Sequence, residues 1–495
     1  MAEKIRVLVQ MRYTPQLNMI TRGGAATVGP QSVPGFSLDA RFAPVKVPTR
    51  RRRRSVAANE VGRLFSFDMS TEGATYLLRG EVDNEAGLQA LMDSTDADPD
   101  CVGVFADPVI SHFATCPPGP VGNHLDVADR LAVATLHNRG MDGSNVVTAI
   151  VDSGVNLEHL GSQGQSPLFD AERSWSPVAG EVPGAIPVGH GTMCAFDVVI
   201  SAPGTTLLDY ALLRSQAQGG SAMDGFLSDA VRGFSRLLEI MTGPYPPAAL
   251  ELNNSGGMCH PSWDFEVGHP GNYSDNPDHP FNIVVESLED AGADILFAAG
   301  NCGTQCPDSR CQGATSEGIF GANSSASVLC VAGVTVDDVR LGYSTQGPGR
   351  LAADKPDIAA YTHFSGSGVY ANDVDGGTSA ACPVAAGMVA AIRSRYPAAA
   401  LSPAQLRNLI RRSASDLGAQ GFDYDHGYGV INVRGLLDLL DRRDEQPLGI
   451  GQTLSGQLAD SEAELNYRLS VGSALTIALD GPQDADFDVY VRRGQ

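Results

Sequence analysis

With 495 residues, 43% of them hydrophobic, the chain can hold two to four domains and a sizeable core. No run of 18 or more apolar residues marks a membrane span, and the amino terminus lacks the apolar segment of a secretory signal. A cytoplasmic location is therefore expected if Met1 is the natural start, and a secreted one if a signal has been removed. The net charge of −23 is unevenly spread: residues 1–60 carry eleven Lys or Arg against three Asp or Glu. Their "TRRRRRS" run (49–55) stands alone without interleaved aromatics. It reads as a solvated loop or a processing site, and no nucleic-acid partner is expected. "GATYLLRGEVDNEAGLQALMDSTDADPDCVGVFADPVISHF" (73–113) then reads strand, helix, strand, and "TCPPGPVGN" (115–123) is a Pro/Gly linker.

Further along, "NVVTAIVDSGVNLEHL" (145–160) is a β-branched strand that ends in Asp152 and turns at Ser153-Gly154. In α/β folds, carboxylates at the carboxyl ends of such strands build sites. "VGHGTMCAFDVV" (188–199) sets His190 between two glycines at the head of an apolar segment. "ADILFAAGNCG" (293–303) is a second buried strand, ending in small residues and Asn301. "DGGTSAACPVAAGMVAAIRSRYP" (375–397) opens on Gly-Gly-Thr-Ser and continues nearly free of polar residues, the pattern of a helix buried on all sides. Gly-Gly-Thr-Ser is also how an ordinary capped core helix begins. Ser379 sits where such a helix presents free N–H groups, a ready place for an oxyanion.

Taken in order, Asp152, His190, Asn301 and Ser379 resemble the subtilisin-like serine peptidases, the subtilases. The matching motifs are "DSG", "HGT", "AAGN" and "GTSAACP", with further matches in "GYSTQGPG" (342–349), "KPDIAAY" (355–361) and "YGVINV" (428–433). The resemblance covers roughly residues 120 to 440. It implies a doubly wound, mostly parallel α/β sheet and a catalytic domain over 116–442. It also implies Ser379 as nucleophile, His190 as general base, Asp152 as its orienting acid and Asn301 as oxyanion donor, acting on polypeptide substrates. No cofactor is required for that chemistry. Family members pair the substrate as an added strand between two edges. Gly219-Gly220-Ser221 and Ser255-Gly256-Gly257 match those edges, and Ala299-Gly300 with "FGANSS" (320–325) matches the specificity-pocket wall.

Met193 and Phe196 depart from the family pattern after "HGT", which bears on packing behind His190. An esterase is disfavoured because the serine lies in "GTSAA" and not in a G-x-S-x-G elbow. A rival of another class is a peptide-binding module derived from a subtilase and catalytically silent.

Residues 1–115 resemble the inhibitory propeptides of subtilases, small α+β domains, which makes the chain's own amino-terminal domain an expected intramolecular inhibitor. Residues 443–495 resemble the start of a bacterial pre-peptidase C-terminal β-sandwich, carrying "DADFDVYVRRG". Calcium is common in the family, and Asp484, Asp486 and Asp488 are candidate ligands; no metal site is assigned. Cys259, Cys302, Cys306 and Cys311 allow two disulfides, a zinc site or free thiols. Cys194 and Cys382 read as buried small hydrophobes.

Overall fold

The computed structural model describes residues 4–12, 36–39, 41–48, 75–112, 119–214, 224–444, 447–448 and 468–469. By its internal contacts the chain divides into two units, Met1–Arg434 and Gly435–Gln495.

The first unit begins with a small α+β layer. Its strands are β1 (Ile5–Arg12), β2 (Phe36–Leu38), β3 (Val45–Val47), β4 (Thr75–Val82) and β5 (Cys101–Ala106), with helix α1 (Glu85–Asp96) between the last two. All pairings are antiparallel, in the order β2-β4-β1-β5 with β3 also on β4. The strand–helix–strand reading of 73–113 is observed; the central strand β1 was not anticipated. Alternation along the strands sorts the two faces. Val7, Val9 and Met11 pack with Leu78, Val82 and Leu91 of the α1 side. Leu8, Leu77 and Phe105 join the core of the next layer. A last strand, β6 (Val109–His112), leaves this domain.

The main layer is a seven-stranded sheet. After α2 (His124–Arg130) and α3 (Val133–Asn138), the chain runs through β7 (Val147–Val151), α4 (Leu157–Ser162), β8 (Leu168–Phe169), α5 (His190–Val199) and β9 (Thr206–Tyr210). There follow β10 (Asp224–Phe226), α6 (Leu227–Thr242), β11 (Leu250–Asn254), β12 (Gly256–Gly257), α7 (Pro280–Asp290) and β13 (Ala293–Ala298). β14 (Leu329–Val334), β15 (Ile358–Tyr361), α8 (Thr378–Arg393) and α9 (Pro403–Ser413) complete it, before α10 (Val433–Asp444). The order is β15-β14-β13-β11-β7-β9-β8, every pair parallel. β7, β11, β13 and β14 are buried along their whole length; β7, β13 and β14 are largely apolar, whereas β11 buries Glu251, Asn253 and Asn254. From β7 the chain builds outward to β9 on one side and to β11 on the other. The strand order reverses there, where α/β sheets open a crevice at the carboxyl ends.

Two helices lie inside the protein, with every residue of α5 and of α8 buried. They cross closely because Gly387 carries no Cβ: one built there would sit 2.2 Å from the Val198 carbonyl oxygen. In the second unit, β16 (Pro447–Leu448) pairs in parallel with β17 (Arg468–Leu469). The rest of the anticipated β-sandwich, the arginine run at 49–55, and Asp484, Asp486 and Asp488 lie outside the described residues.

Candidate active site

Asp152 follows the last residue of β7 at the reversal point, and its amide is held by the Tyr210 carbonyl at 3.0 Å. His190 is the first residue of α5. The two meet because Gly191 can lie directly on Gly154: a Cβ on Gly191 would fall 2.6 Å from the Gly154 carbonyl oxygen. Ser153 Oγ accepts the Gly191 amide at 3.0 Å and closes the junction. His190 Nδ1 then lies 2.9 and 3.0 Å from the two Asp152 carboxylate oxygens. With Asp152 0% and His190 2% exposed, this ion-pair geometry is shielded from water.

Ser379 is the second residue of α8, not its cap. Gly377, at φ 79°, occupies the cap position and offers no side-chain acceptor. The capping role passes to Asn301, whose Oδ1 accepts the Thr378 amide and the Thr378 hydroxyl, both at 3.0 Å. The Gly300 amide donates to the same hydroxyl at 3.0 Å. With Oδ1 engaged, the Asn301 Nδ2 is the side of the amide that serves as donor. Pro383 has a matching purpose. Its missing N–H would otherwise bond the carbonyl four residues back, that of Ser379. That carbonyl instead accepts from Ser255 Oγ at 3.0 Å and from Cys194 Sγ at 3.5 Å. Ser379 Oγ donates to the Ser255 carbonyl at 3.0 Å.

Cys194 is thus more than core filling. Its sulfur lies 3.8 Å from Asp152 Oδ2, 3.8 Å from His190 Nδ1 and 3.5 Å from the Ser379 carbonyl, linking the three predicted catalytic residues. Thr378, Ser153 and Tyr343, whose hydroxyl accepts the Gly377 amide at 3.1 Å, also escaped the sequence reading. Thr378 sits inside "GTS", Ser153 inside "DSG" and Tyr343 inside "GYSTQGPG", so the motifs carried the signal. Met193 and Phe196, the departures from the family pattern, are buried, and the Phe196 ring meets His124 edge-on with centroids 5.5 Å apart.

The residues assigned to the substrate divide. Gly256 and Gly257 form β12, paired antiparallel with His112 and Ser111 of β6. On its other side β6 pairs with Asp224–Phe226 of β10. Gly219, Gly220 and Ser221 lie outside the described residues. Ala299 and Gly300 continue β13 into Asn301, and Asn323 Nδ2 donates to the carbonyls of Gly256 (3.1 Å) and Ala298 (2.9 Å). The anticipated wall segments therefore adjoin β12.

Cys302 and Cys311 form a disulfide that braces the loop after Asn301; Cys306 is disulfide-bonded as well, and Cys259 is a buried thiol. Among the described residues these four cysteines form no cluster of metal-binding side chains. Among the described residues two clusters bring metal-binding side chains together. Asp152, His190 and Cys194 are the group above. Asp423, Asp425 and His426 do not suit calcium: the amides of Asp425 and His426 occupy Asp423, while Arg340 and Gln346 occupy Asp425.

Residues 143–429 match the model of the subtilase family. The chain belongs to that family. Among subtilase relatives, the calcium-dependent protease of Trichormus variabilis is 27% identical over 340 residues, covering 62% of this chain and 48% of its own length. Subtilisin Savinase of Lederbergia lenta is 26% identical, covering 61% of this chain and 95% of its own. Fervidolysin from Fervidobacterium pennivorans, described as a keratinolytic enzyme related to subtilisin, superposes with a TM-score of 0.54 at 15% identity. That match covers 88% of this chain and 61% of fervidolysin, and supports the fold. The chain spans about half the length of the calcium-dependent protease.

Proposed function

We propose that this subtilase is a serine endopeptidase working through an acyl-enzyme, folded with its amino-terminal domain seated in its own substrate groove. The observation that carries the first part is the buried Asp152–His190 pair joined through Cys194 to Ser379. Ser379 Oγ attacks the scissile carbonyl, and His190 Nε2 takes the proton and returns it to the leaving amine. Asp152 holds Nδ1–H and stabilises the imidazolium. The Asn301 amide and the Ser379 N–H receive the oxyanion, a donor of this kind contributing about 3 kcal/mol.

The zymogen part is supported by β6, which fills the place between β10 and β12 where a substrate strand would add. Residues 1–115 are then the inhibitory domain, 116–442 the catalytic domain and 443–495 the start of a β domain. The cut falls in the Pro/Gly linker, 115–123. Polypeptides are the substrates. Calcium, named for one relative, would look to Asp484, Asp486 and Asp488.

One observation favours the silent binding module instead: Ser379 Oγ donates to the Ser255 carbonyl. Hydrogen bonds of this kind rearrange when substrate arrives, so the geometry is compatible with both readings. Hydrolysis of fluorescein-casein by wild type but not by Ser379→Ala supports the peptidase; equal inactivity of both supports the module.

A further inference from the structure

Asp209 stands on β9 opposite Ile150 of β7, one step before the residues that hold Asp152. Its side chain is 1% exposed. Oδ2 accepts the Gly184 amide at 2.9 Å. Gly184 opens the run that leads into His190, and this run is fastened to the segment leaving Asp152. The Leu157 amide donates to the Gly184 carbonyl at 2.8 Å, the Ile186 amide to the Val155 carbonyl at 3.2 Å, and Asn156 Nδ2 to the Ile186 carbonyl at 2.7 Å. The exit of Asp152 and the approach to His190 are thus one zipped unit, and Asp209 pins it to the sheet.

We propose that Asp209 is a positioning residue for the Asp152–His190 pair, and that its charge acts on that pair. This rests on the triad reading above. Burial pushes the carboxyl up to about 7, against the pull of the Gly184 and Val155 amides; the charges of Glu181 and Asp152 push the same way as burial. Glu181 is itself paired with Arg214 at 2.7 Å, and the Ser174 hydroxyl is occupied by the Asp209 backbone amide at 2.9 Å. When charged, Asp209 is a second carboxylate near Asp152 and favours a positive charge on the pair.

The test is the ionisation of His190 in the full chain, read by NMR of 13C-labelled histidine and assigned with His190→Gln. Asp209→Asn keeps an acceptor for Gly184 and removes the charge. It should lower the His190 midpoint by ~0.5 pH unit, a modest effect for a nearby charge. Identical midpoints in wild type and Asp209→Asn would overturn the proposal. On fluorescein-casein, the acid limb of kcat/KM should move by the same amount, with KM unchanged. Asp209→Leu, which cannot hold Gly184, should lose about tenfold in kcat across the pH range. Turnover surviving in Ser379→Ala would overturn the triad reading instead, while the NMR midpoint still decides Asp209.

Discussion

Ser255 and Ser379 exchange hydrogen bonds: each hydroxyl donates to the other's carbonyl at 3.0 Å. The exchange fastens the mouth of the central helix α8 to the segment between β11 and the groove edge β12. It exists because Pro383 leaves the Ser379 carbonyl without its helical partner. The mouth of α8 and the segment leading into β12 are therefore fastened to each other.

Replacing that serine should abolish hydrolysis and processing together. Wild type should lose roughly its first 115 residues, while Ser379→Ala remains at full mass. Intact-mass spectrometry of the two proteins reads this directly. Loss of the same residues from Ser379→Ala would show that cleavage comes from elsewhere.

Asn301→Ala should lower kcat by about 10²–10³ with little change in KM, because its amide acts on the oxyanion and not on bound substrate. Some of the loss would come from α8, since Asn301 Oδ1 also caps Thr378. Asn301→Asp retains that cap but not the donor. Full activity of Asn301→Asp would remove Asn301 from the oxyanion hole.

Asp107 is donated to by the amide and hydroxyl of Ser228, at 2.8 and 3.0 Å. Helix α6 has no side-chain cap of its own, so the amino-terminal domain supplies one. Arg79 reinforces the junction, reaching Asp39 at 2.8 Å and Asp229 at 3.4 Å. Asp107→Ala should cost about 1 kcal/mol of cap energy and raise the casein-hydrolysing activity of unprocessed full chain roughly fivefold. Unchanged latency would place the inhibitory grip elsewhere.

The pH dependence of stability should bend in opposite senses for two groups at this junction. Burial pushes His279 down to about 3, although the Ala106 carbonyl favours its protonated form. Its contribution is therefore full above 6.5 and is lost as pH falls toward 3. Burial pushes Asp107 up to about 6, outweighing the Ser228 bonds and Arg79. That contribution is full below 3.8 and is lost as pH rises through 6. Melting temperatures between pH 4 and 7 should fall less steeply on acidification in His279→Asn and more steeply in Asp107→Asn. Parallel curves would refute both assignments.

Asp357 is fully buried between Lys355 at 2.7 Å and the Arg411 guanidinium, whose Nε is 2.9 Å away. Burial alone would raise its pKa, but the two cations hold it below the usual value. Asp357→Ala leaves a buried lysine uncompensated, and a loss of about 3–5 kcal/mol is expected in urea unfolding. A loss under 1 kcal/mol would mean the cluster is solvated.

The amino-acid sequence alone determined the family and pointed to the proposed catalytic set. Asp152, His190, Asn301 and Ser379 each sit inside a short motif whose glycines and small residues answer local demands of turn, cap and helix contact. The strand–helix–strand pattern of 73–113 was legible for the same reason: alternation and helical period are local. Tertiary structure alone decided what those motifs touch. That β6 pairs between β10 and β12, that Cys194 lies against Asp152, His190 and the Ser379 carbonyl, and that β1 completes the amino-terminal sheet all depend on segments distant in sequence. Asp209 shows the limit best. In "TTLLDYALL" it is one acid in an apolar strand, with no pattern of its own. It acquires meaning only when packing removes it from water and sets it against Gly184, because burial and partner choice are properties of the folded surface and not of the local chain.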